Sequence, residues 1–190
     1  MKKQAKSLIA LAVALSLGLG FSSCKKDEPE PEPTPTKETT FYNSLSLSST
    51  ILEYFDITMQ YTNAEGKTTS VDIKQCPETK MKFVTSEGQD EVSVRTFTAD
   101  SKSTKLPAET SIKLTYKYNG KVPADEINVG VAGTFKINGR SNPSEHSHYA
   151  RGIDPEGMND LATFLNEQYS TYILKVDAQD NYTYIIGSEK

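Results

Sequence analysis

The feature that most constrains the fold of this chain is a strict alternation of apolar and polar side chains over residues 55–62. The segment reads FDITMQYT, and a period of two is typical of a β-strand with one buried face. Turn-forming residues follow at 63–67, after which Val71 and Ile73 continue the alternation. The pattern predicts a β-hairpin over this part of the chain.

The same period recurs further along the chain in short segments separated by turn residues. Strands are predicted at 81–85, 92–98, 112–118, 127–137, 172–176 and 182–186. Within 127–137, Gly130 and Gly133 remove side chains, which indicates a bulge, a bend or another element packed closely over the strand. About eight or nine short strands predict an all-β fold, a single antiparallel β-sandwich, with a closed β-barrel as the alternative.

One segment follows a helical period instead. Asp154 is suited to cap a helix and Pro155 to its first turn. Apolar residues then recur at spacings of three and four: Met158, Leu161, Ala162, Phe164, Leu165 and Tyr169. The pattern predicts a short amphipathic helix of about three to four turns that covers one open end or face of the sandwich.

The chain before the first predicted strand has two parts of different composition. Lysines near the start precede an apolar run at 8–21, which is shorter than the roughly 20 residues needed to span a bilayer. Proline alternates with polar residues at 29–36, and such a run forms a stiff, extended spacer. These changes divide the chain into a signal peptide at 1–23, a tether at 24–39 and one folded domain at 40–190.

The junction between signal and tether consists of two small residues, Ser22 and Ser23, followed by Cys24. This junction resembles the lipobox of bacterial lipoproteins. Phe21 stands where an aliphatic residue is usual, a looser pattern familiar from lipoproteins of the Bacteroidota. The resemblance implies that Cys24 carries acyl chains such as palmitate and becomes the mature amino terminus. The alternative is an ordinary secretory signal that leaves Cys24 as a free thiol.

The four residues after Cys24, KKDE at 25–28, resemble the short signal that sends such lipoproteins to the outer face of the outer membrane. The resemblance therefore implies an outer-membrane lipoprotein exposed at the cell surface, with the periplasmic face as the alternative. It covers only the first thirty or so residues and does not assign the domain at 40–190 to a family.

The charge and cysteine content of the chain narrow the classes of partner. The formal net charge is −4, although the signal contains lysines and no acids, so the domain is the more acidic part. An acidic domain without Lys/Arg clusters argues against nucleic acid as a partner. The lipid, rather than surface charge, is expected to hold the protein at the membrane. With Cys24 used for lipid, Cys76 has no second cysteine, which excludes a disulfide framework.

Both histidines of the chain lie in a polar segment, 138–153, that is predicted to be a loop between the last long strand and the helix. If its backbone is extended, His146 and His148 point to the same side and can share a divalent metal ion, with Glu145 nearby. A solvated surface loop is the simpler interpretation. No cofactor is expected apart from the covalent lipid.

Tyrosine is the other candidate for a binding role, since the chain has ten tyrosines and no tryptophan. Tyr149, Tyr172, Tyr182 and Tyr184 lie toward the carboxyl end. In strands, aromatic residues commonly form stabilising cross-strand pairs. The alternative is that these four rings form an exposed platform for a sugar or a peptide.

Motifs for catalysis are missing from the sequence, which has no G-x-S-x-G elbow, no phosphate-binding glycine loop and no H-E-x-x-H. No catalytic residue is predicted, and binding is expected rather than catalysis. The sequence therefore predicts a non-catalytic binding or accessory lipoprotein that recognises a glycan or an envelope protein. A structural or assembly component of a surface complex is the alternative. A hydrolase or metal-binding protein that uses the 138–153 segment is the third interpretation.

Overall fold

A computed structural model describes residues 37–142 and 146–187 of the chain. The signal, Cys24 and nearly all of the tether lie outside these residues, as does Glu145. The described residues form two antiparallel sheets and one helix of three turns, so the predicted all-β sandwich with a short helix is confirmed. Within the described part of the chain, no helix is long and apolar enough to cross a bilayer.

The strands and helices follow one another along the chain as β1 (Thr39–Ser48), α1 (Ser49–Tyr54), β2 (Phe55–Thr62), β3 (Thr68–Val71), β4 (Glu78–Thr85), β5 (Gly88–Ser103), β6 (Ala108–Tyr118), β7 (Ile127–Ile137), β8 (Arg140–Ser141), β9 (His146–Ile153), α2 (Met158–Gln168), β10 (Thr171–Val176) and β11 (Tyr182–Ile186). Short 3-10 turns lie at Ile73–Gln75 and Pro155–Gly157.

The first sheet has the strand order β4-β5-β1-β7, and β7 pairs on its far side with β8 and β9. Since β1 occupies the other side of β7, β8 and β9 lie along the same outer edge of this sheet. The second sheet has the order β11-β10-β6-β2-β3. Every pairing in both sheets is antiparallel.

The core lies between the two sheets, because each strand turns alternate side chains inward. From β1 these are Phe41, Leu45 and Leu47, and from the second sheet they include Met59 and Ile112. Burial of these apolar side chains, at roughly 25 cal/mol per Å², is the main favourable contribution to folding.

The helix α2 packs against β6, and its Phe164 ring contacts the ring of His148 on β9. Met158, Leu161 and Leu165 are buried in the core. The Asn166 side chain accepts a hydrogen bond from the Tyr116 backbone N–H at 2.9 Å and donates one to the Tyr116 carbonyl at 2.7 Å. Asn166 thereby satisfies backbone hydrogen-bonding groups in the part of β6 that is not paired with β10. Asp154 lies at the N-cap position of the 3-10 turn before α2 and Pro155 in the first turn, as predicted, but the Asp154 side chain makes no capping hydrogen bond.

The structure corrects the prediction in the segment 138–153. Residues 146–153 form β9 rather than a loop, and their backbone pairs with β7 from Gly133 back to Ile127. The polar side chains of this segment indicated a loop. In the structure, the backbone of β9 forms hydrogen bonds with β7, and α2 covers one face of β9. Three further elements, β1, α1 and β8, were not predicted at all, and β5 is longer than the predicted 92–98.

Candidate functional site

The first sheet is strongly curled toward the face that points away from the second sheet. Phe83 of β4 lies directly over Gly130 of β7, although β5 and β1 separate these two strands in the sheet. A Cβ atom added at Gly130 would lie 2.7 Å from the Phe83 ring, so the close approach requires glycine at this position. Of the bulge, the bend and the closely packed element that the sequence indicated for this strand, the closely packed element is found at Gly130.

The curl brings the two edges of the first sheet together. The ring of Phe83 on the edge strand β4 stacks on the ring of Tyr149 on the edge strand β9, with centroids 4.9 Å apart and planes 16° from parallel. Such a stacked pair contributes about 0.5–1.5 kcal/mol beyond the burial of its surface. The sheet is therefore a half-barrel whose edges meet through side chains.

A second contact holds these edges together at the tip of the β4–β5 hairpin. The Arg151 guanidinium of β9 donates two hydrogen bonds to the Asp90 carboxylate, at 2.6 and 2.5 Å, and one to Glu87 at 2.7 Å. The bidentate Arg151 bond holds the pKa of Asp90 below its usual value. Arg151 and Asp90 thus form a charged clamp between the hairpin and β9.

A slot of about 650 Å³ opens between the two edges. Residues 81–86 of β4 and its turn form one side, residues 147–149 of β9 form the other, and Ala132 of β7 also lines it. Among the described residues, no strand pairing joins β4 to β9. The free backbone edges of both strands therefore border the slot.

The inside of the half-barrel beyond the slot has small and polar residues. The hydroxyl groups of Ser46 and Thr96 are hydrogen-bonded at 2.8 Å, and the Ser48 hydroxyl accepts a hydrogen bond from the Gly130 backbone N–H at 3.1 Å. Phe83 and Val94 are buried here but are not part of the core cluster between the sheets. The curled sheet thus encloses a second, smaller packed region of its own.

The two histidines share one side of β9, as extended backbone requires. The ring of His148 lies 4.9 Å from that of Phe164 and 5.4 Å from that of Tyr169, while His146 lies 6.5 Å from Phe135. Burial lowers the pKa of both imidazoles, which favours their neutral forms.

These contacts place the histidines toward α2 and the core rather than at an open metal site. Within 37–142 and 146–187, no group of three His, Cys, Asp or Glu side chains converges. The Asn142 side chain lies within hydrogen-bond distance of the His146 ring. Glu145, the predicted third ligand, lies outside the described residues.

The four candidate tyrosines do not form one platform. Tyr172 is only 1% exposed and stacks on Phe135 with centroids 5.0 Å apart, so it belongs to the core, and the alternative of an exposed binding platform is wrong for this residue. Tyr149 lines the slot. Tyr182 and Tyr184 lie on β11 in the second sheet, near Arg140.

Tyr182 forms part of a second, open cleft of about 750 Å³. The Asn138 amide donates to its hydroxyl at 2.8 Å, and the Arg140 guanidinium lies 5.7 Å from the centre of its ring. Lys37 and Asp180 form an ion pair across the same cleft. Because these polar groups bond to one another, the cleft is a weaker candidate for a binding site than the slot.

No family model matches the chain, and no curated protein matches it. Sequence reasoning selected Tyr149 but missed its partner Phe83 and the clamp residue Arg151. The one signal in the sequence was Gly130, because a glycine within an apolar strand indicates that another group approaches its backbone.

Proposed function

We propose that the protein is a lipid-anchored, non-catalytic binding module of the bacterial outer membrane, and that its ligand site is the slot between β4 and β9. The slot between two free strand edges is the observation that carries this proposal. It combines an aromatic floor, Phe83 and Tyr149, with backbone groups that have no partner strand. Ligand sites commonly pair apolar walls with a few hydrogen-bonding groups in this way.

The chemistry around the slot favours binding over catalysis. A general base must reach its substrate with a free lone pair. The charged groups at the closed end, Arg151 and Asp90, are bonded to each other, and His148 packs against two aromatic rings on the side of α2. We therefore extend the proposal neither to a hydrolase nor to a metal-binding protein.

The membrane part of the proposal rests on the sequence resemblance at Cys24 and on the extended spacer behind it. At about 3.1 Å per residue, a spacer over residues 25–35 holds the domain up to roughly 34 Å from the membrane, since Lys37 and Thr39 already belong to the folded domain. The acidic residues of the spacer and of the domain fit attachment through lipid rather than through surface charge.

Mass spectrometry of the mature protein tests the anchor. We expect an amino-terminal Cys24 with acyl chains, and loss of membrane association for Cys24→Ala. Protease added to intact cells should remove the domain if it faces outward. An unacylated Cys24 contradicts the lipoprotein assignment, and full protection from protease places the domain on the periplasmic face.

Arrays of glycans and peptides test the binding site. The probe is the chain from residue 24 onward with Cys24→Ala, compared with the same chain carrying Ser147→Arg, because Ser147 is an exposed residue that lines the slot. Thr115→Arg, an exposed position on β6 of the second sheet, is the matched control. We expect binding that Ser147→Arg abolishes and Thr115→Arg preserves. Blank arrays, or equal binding by both variants, contradict the proposal.

A second candidate is an assembly component of a surface complex, which the two free edges of the half-barrel also favour, since an edge can receive a strand from another subunit. A photo-crosslinking amino acid placed at position 147 in intact cells distinguishes the candidates. Stoichiometric crosslinking to one envelope protein supports assembly, whereas crosslinking that disappears when soluble ligand is added supports a binding module.

A further inference from the structure

The pairing of β1 places rows of polar side chains on the outer face of the first sheet. Phe41, Asn43 and Leu45 of β1 point toward the second sheet, so the residues between them point outward. Directly opposite residues on paired strands share a face. Across β5, β1 and β7, the first outward row is Thr96, Ser46 and Ala132, the middle row is Thr98, Ser44 and Thr134, and the last row is Asp100, Tyr42 and Lys136. We call these residues the hydroxyl face.

The hydroxyl face continues the inside of the half-barrel away from its closed end. Ala132 lines the slot as well as the first row, and its partner on β9, Ser147, also lines the slot. Exposure then increases with distance from the closed end. Ser46 is only 2% exposed, Ser44 is partly exposed, and Thr134 beside it is fully in the exposed class. A ligand therefore reaches this face from solvent without passing between β4 and β9.

Most polar groups of the hydroxyl face have no partner within the folded domain. In the first row, the hydroxyls of Ser46 and Thr96 are bonded to each other. Beyond that row, and within the part of the chain that the structure describes, no hydrogen bond or ion pair is made by the side chains of Ser44, Thr98, Thr134 and Asp100. These groups are available to a ligand, unlike those of the cleft at Tyr182, which bond to one another.

The last row has an aromatic ring between two opposite charges. Tyr42 lies between Asp100 and Lys136, and the Lys136 Nζ atom lies 5.6 Å from the centre of the Tyr42 ring. Because these two charges cancel, the face as a whole attracts neither a polyanion nor a polycation. The charge pattern therefore favours a neutral ligand.

The chemistry of the face also disfavours a peptide strand and a lipid. The backbone of β1 is paired on both sides, so it cannot receive another strand. Of the residues of this face, only Ala132 and the ring of Tyr42 offer apolar surface. Recognition depends instead on side-chain hydroxyls, each of which both donates and accepts hydrogen bonds. Sugar hydroxyls have the same double capacity.

We propose that the hydroxyl face binds a neutral glycan chain, which extends from Ser147 at the mouth of the slot to Tyr42. The ring of Tyr42 packs against the C–H groups of one sugar, and the hydroxyls of the middle row bond to the hydroxyls of its neighbours. This inference rests on the proposed function, since it names the class of ligand that the binding module takes and extends the site beyond the slot.

The length of the face requires more than one sugar. At about 3.4 Å per residue, Ser46 and Tyr42 lie roughly 14 Å apart along β1. A single sugar ring does not fill that distance, so the ligand is an oligosaccharide or a segment of a polysaccharide.

Calorimetry with defined glycans tests the proposal on the chain from residue 24 onward with Cys24→Ala. The probes are cellohexaose, maltohexaose, xylohexaose and mannohexaose, the hexasaccharides of common neutral polysaccharides. We expect at least one of them to bind with a Kd below about 1 mM. No binding of any of the four at that concentration overturns the inference.

Variants locate the bound glycan. Thr134→Arg places a large charged side chain on the hydroxyl face and should weaken binding at least tenfold, as should Tyr42→Ala, which removes the ring. Thr98→Arg, at an exposed position on the neighbouring strand, repeats the first test should Thr134→Arg fail to fold. Thr115→Arg on the second sheet is the matched control and should leave the affinity unchanged. Thermal unfolding identifies the variants that retain the fold.

Comparison with Ser147→Arg separates this inference from the proposed function. Binding that Ser147→Arg abolishes and Thr134→Arg leaves unchanged retains the slot as the site and overturns the hydroxyl face. Binding that Thr134→Arg weakens and Ser147→Arg leaves unchanged retains the hydroxyl face and contradicts the slot. A peptide that binds on the arrays in place of any glycan leaves the binding module intact and overturns the glycan.

Discussion

Gly130 has no side chain, and the ring of Phe83 occupies the space where a Cβ atom would lie. The curl of the first sheet depends on this close approach. The ring cannot move outward freely, since it is only 4% exposed and is stacked on Tyr149. Gly130 also donates its backbone N–H to Ser48. The position therefore combines a steric requirement with a hydrogen bond that holds β7 to β1.

Gly130→Ala should destabilise the protein by about 1–3 kcal/mol, because the new methyl group overlaps the ring of Phe83. The measurement is the free energy of unfolding in urea. In a Phe83→Ala background the overlap is gone, and the same change should be neutral or stabilising by about 0.4–1 kcal/mol through the lost flexibility of glycine. Equal destabilisation in both backgrounds would show that the ring is not the cause.

His148 makes the stability of the domain depend on pH. Burial lowers the pKa of His146 and His148 below the ordinary value of 6.5. The folded state therefore binds fewer protons than the unfolded state between the folded pKa and about 6.5. This contribution to stability is fully present above about pH 6.5 and is lost as the pH falls toward the folded pKa.

We expect the free energy of unfolding to decrease between about pH 7 and pH 5. In the His148→Phe variant this free energy should decrease less, since phenylalanine retains the contacts with Phe164 and Tyr169 without titrating. Proton NMR of the two imidazoles measures the folded pKa values directly. Values at or above 6.5 for both rings would contradict the burial that the structure assigns to them.

At the scale of elements, the strands that the sequence predicted are those with one buried face. Residues 55–62 and 127–137 alternate clearly because one side of each strand meets the core and the other is more polar. In β1 the alternation of apolar and polar residues is not visible in the sequence. Its core face includes the polar residue Asn43, while Ser46 and Ser48 are buried on the opposite face by the curl of the sheet.

Other elements were missed for different physical reasons. The helix α1 has six residues, too few for a period of 3.6 to be visible. In β9 the sequence His-Ser-His reads as polar, yet these residues pair with β7, and the ring of His148 packs against Phe164 of α2. The slot could not be predicted because it depends on how far the sheet curls, and the one local signal, Gly130, does not identify the group that approaches it.

The junction between α2 and β6 provides a test at the scale of elements. Asn166→Ala removes the donor and the acceptor that satisfy the Tyr116 backbone, and unpaired buried groups of this kind cost about 1–3 kcal/mol. Asn159→Ala, an exposed position in the same helix, is the matched control and should have little effect. Urea unfolding of both variants measures the difference.

At the scale of the whole molecule, a buried polar pair connects the two sheets. Asn43 of β1 donates its side-chain N–H to the hydroxyl of Thr110 of β6 at 3.2 Å, and neither residue is exposed. Both groups lie in an otherwise apolar core, where a polar atom without a partner is costly. The pair therefore favours one alignment of the sheets over others.

Thr110→Val should cost about 1–3 kcal/mol, because it leaves the Asn43 amide buried without this partner. The double variant Asn43→Leu and Thr110→Val should recover part of that loss, with a coupling energy of about 0.5–3 kcal/mol in a double-mutant cycle. Thermal or urea unfolding supplies the four values. Strictly additive effects would show that the two side chains do not depend on each other.

The two lysines on β4 also bear on how copies of this protein meet one another. Free strand edges on neighbouring molecules are templates for runaway pairing and aggregation. Lys80 and Lys82 place positive charge beside that edge, so the edges of two identical copies repel each other. These charges thereby oppose edge-to-edge assembly of the protein with itself.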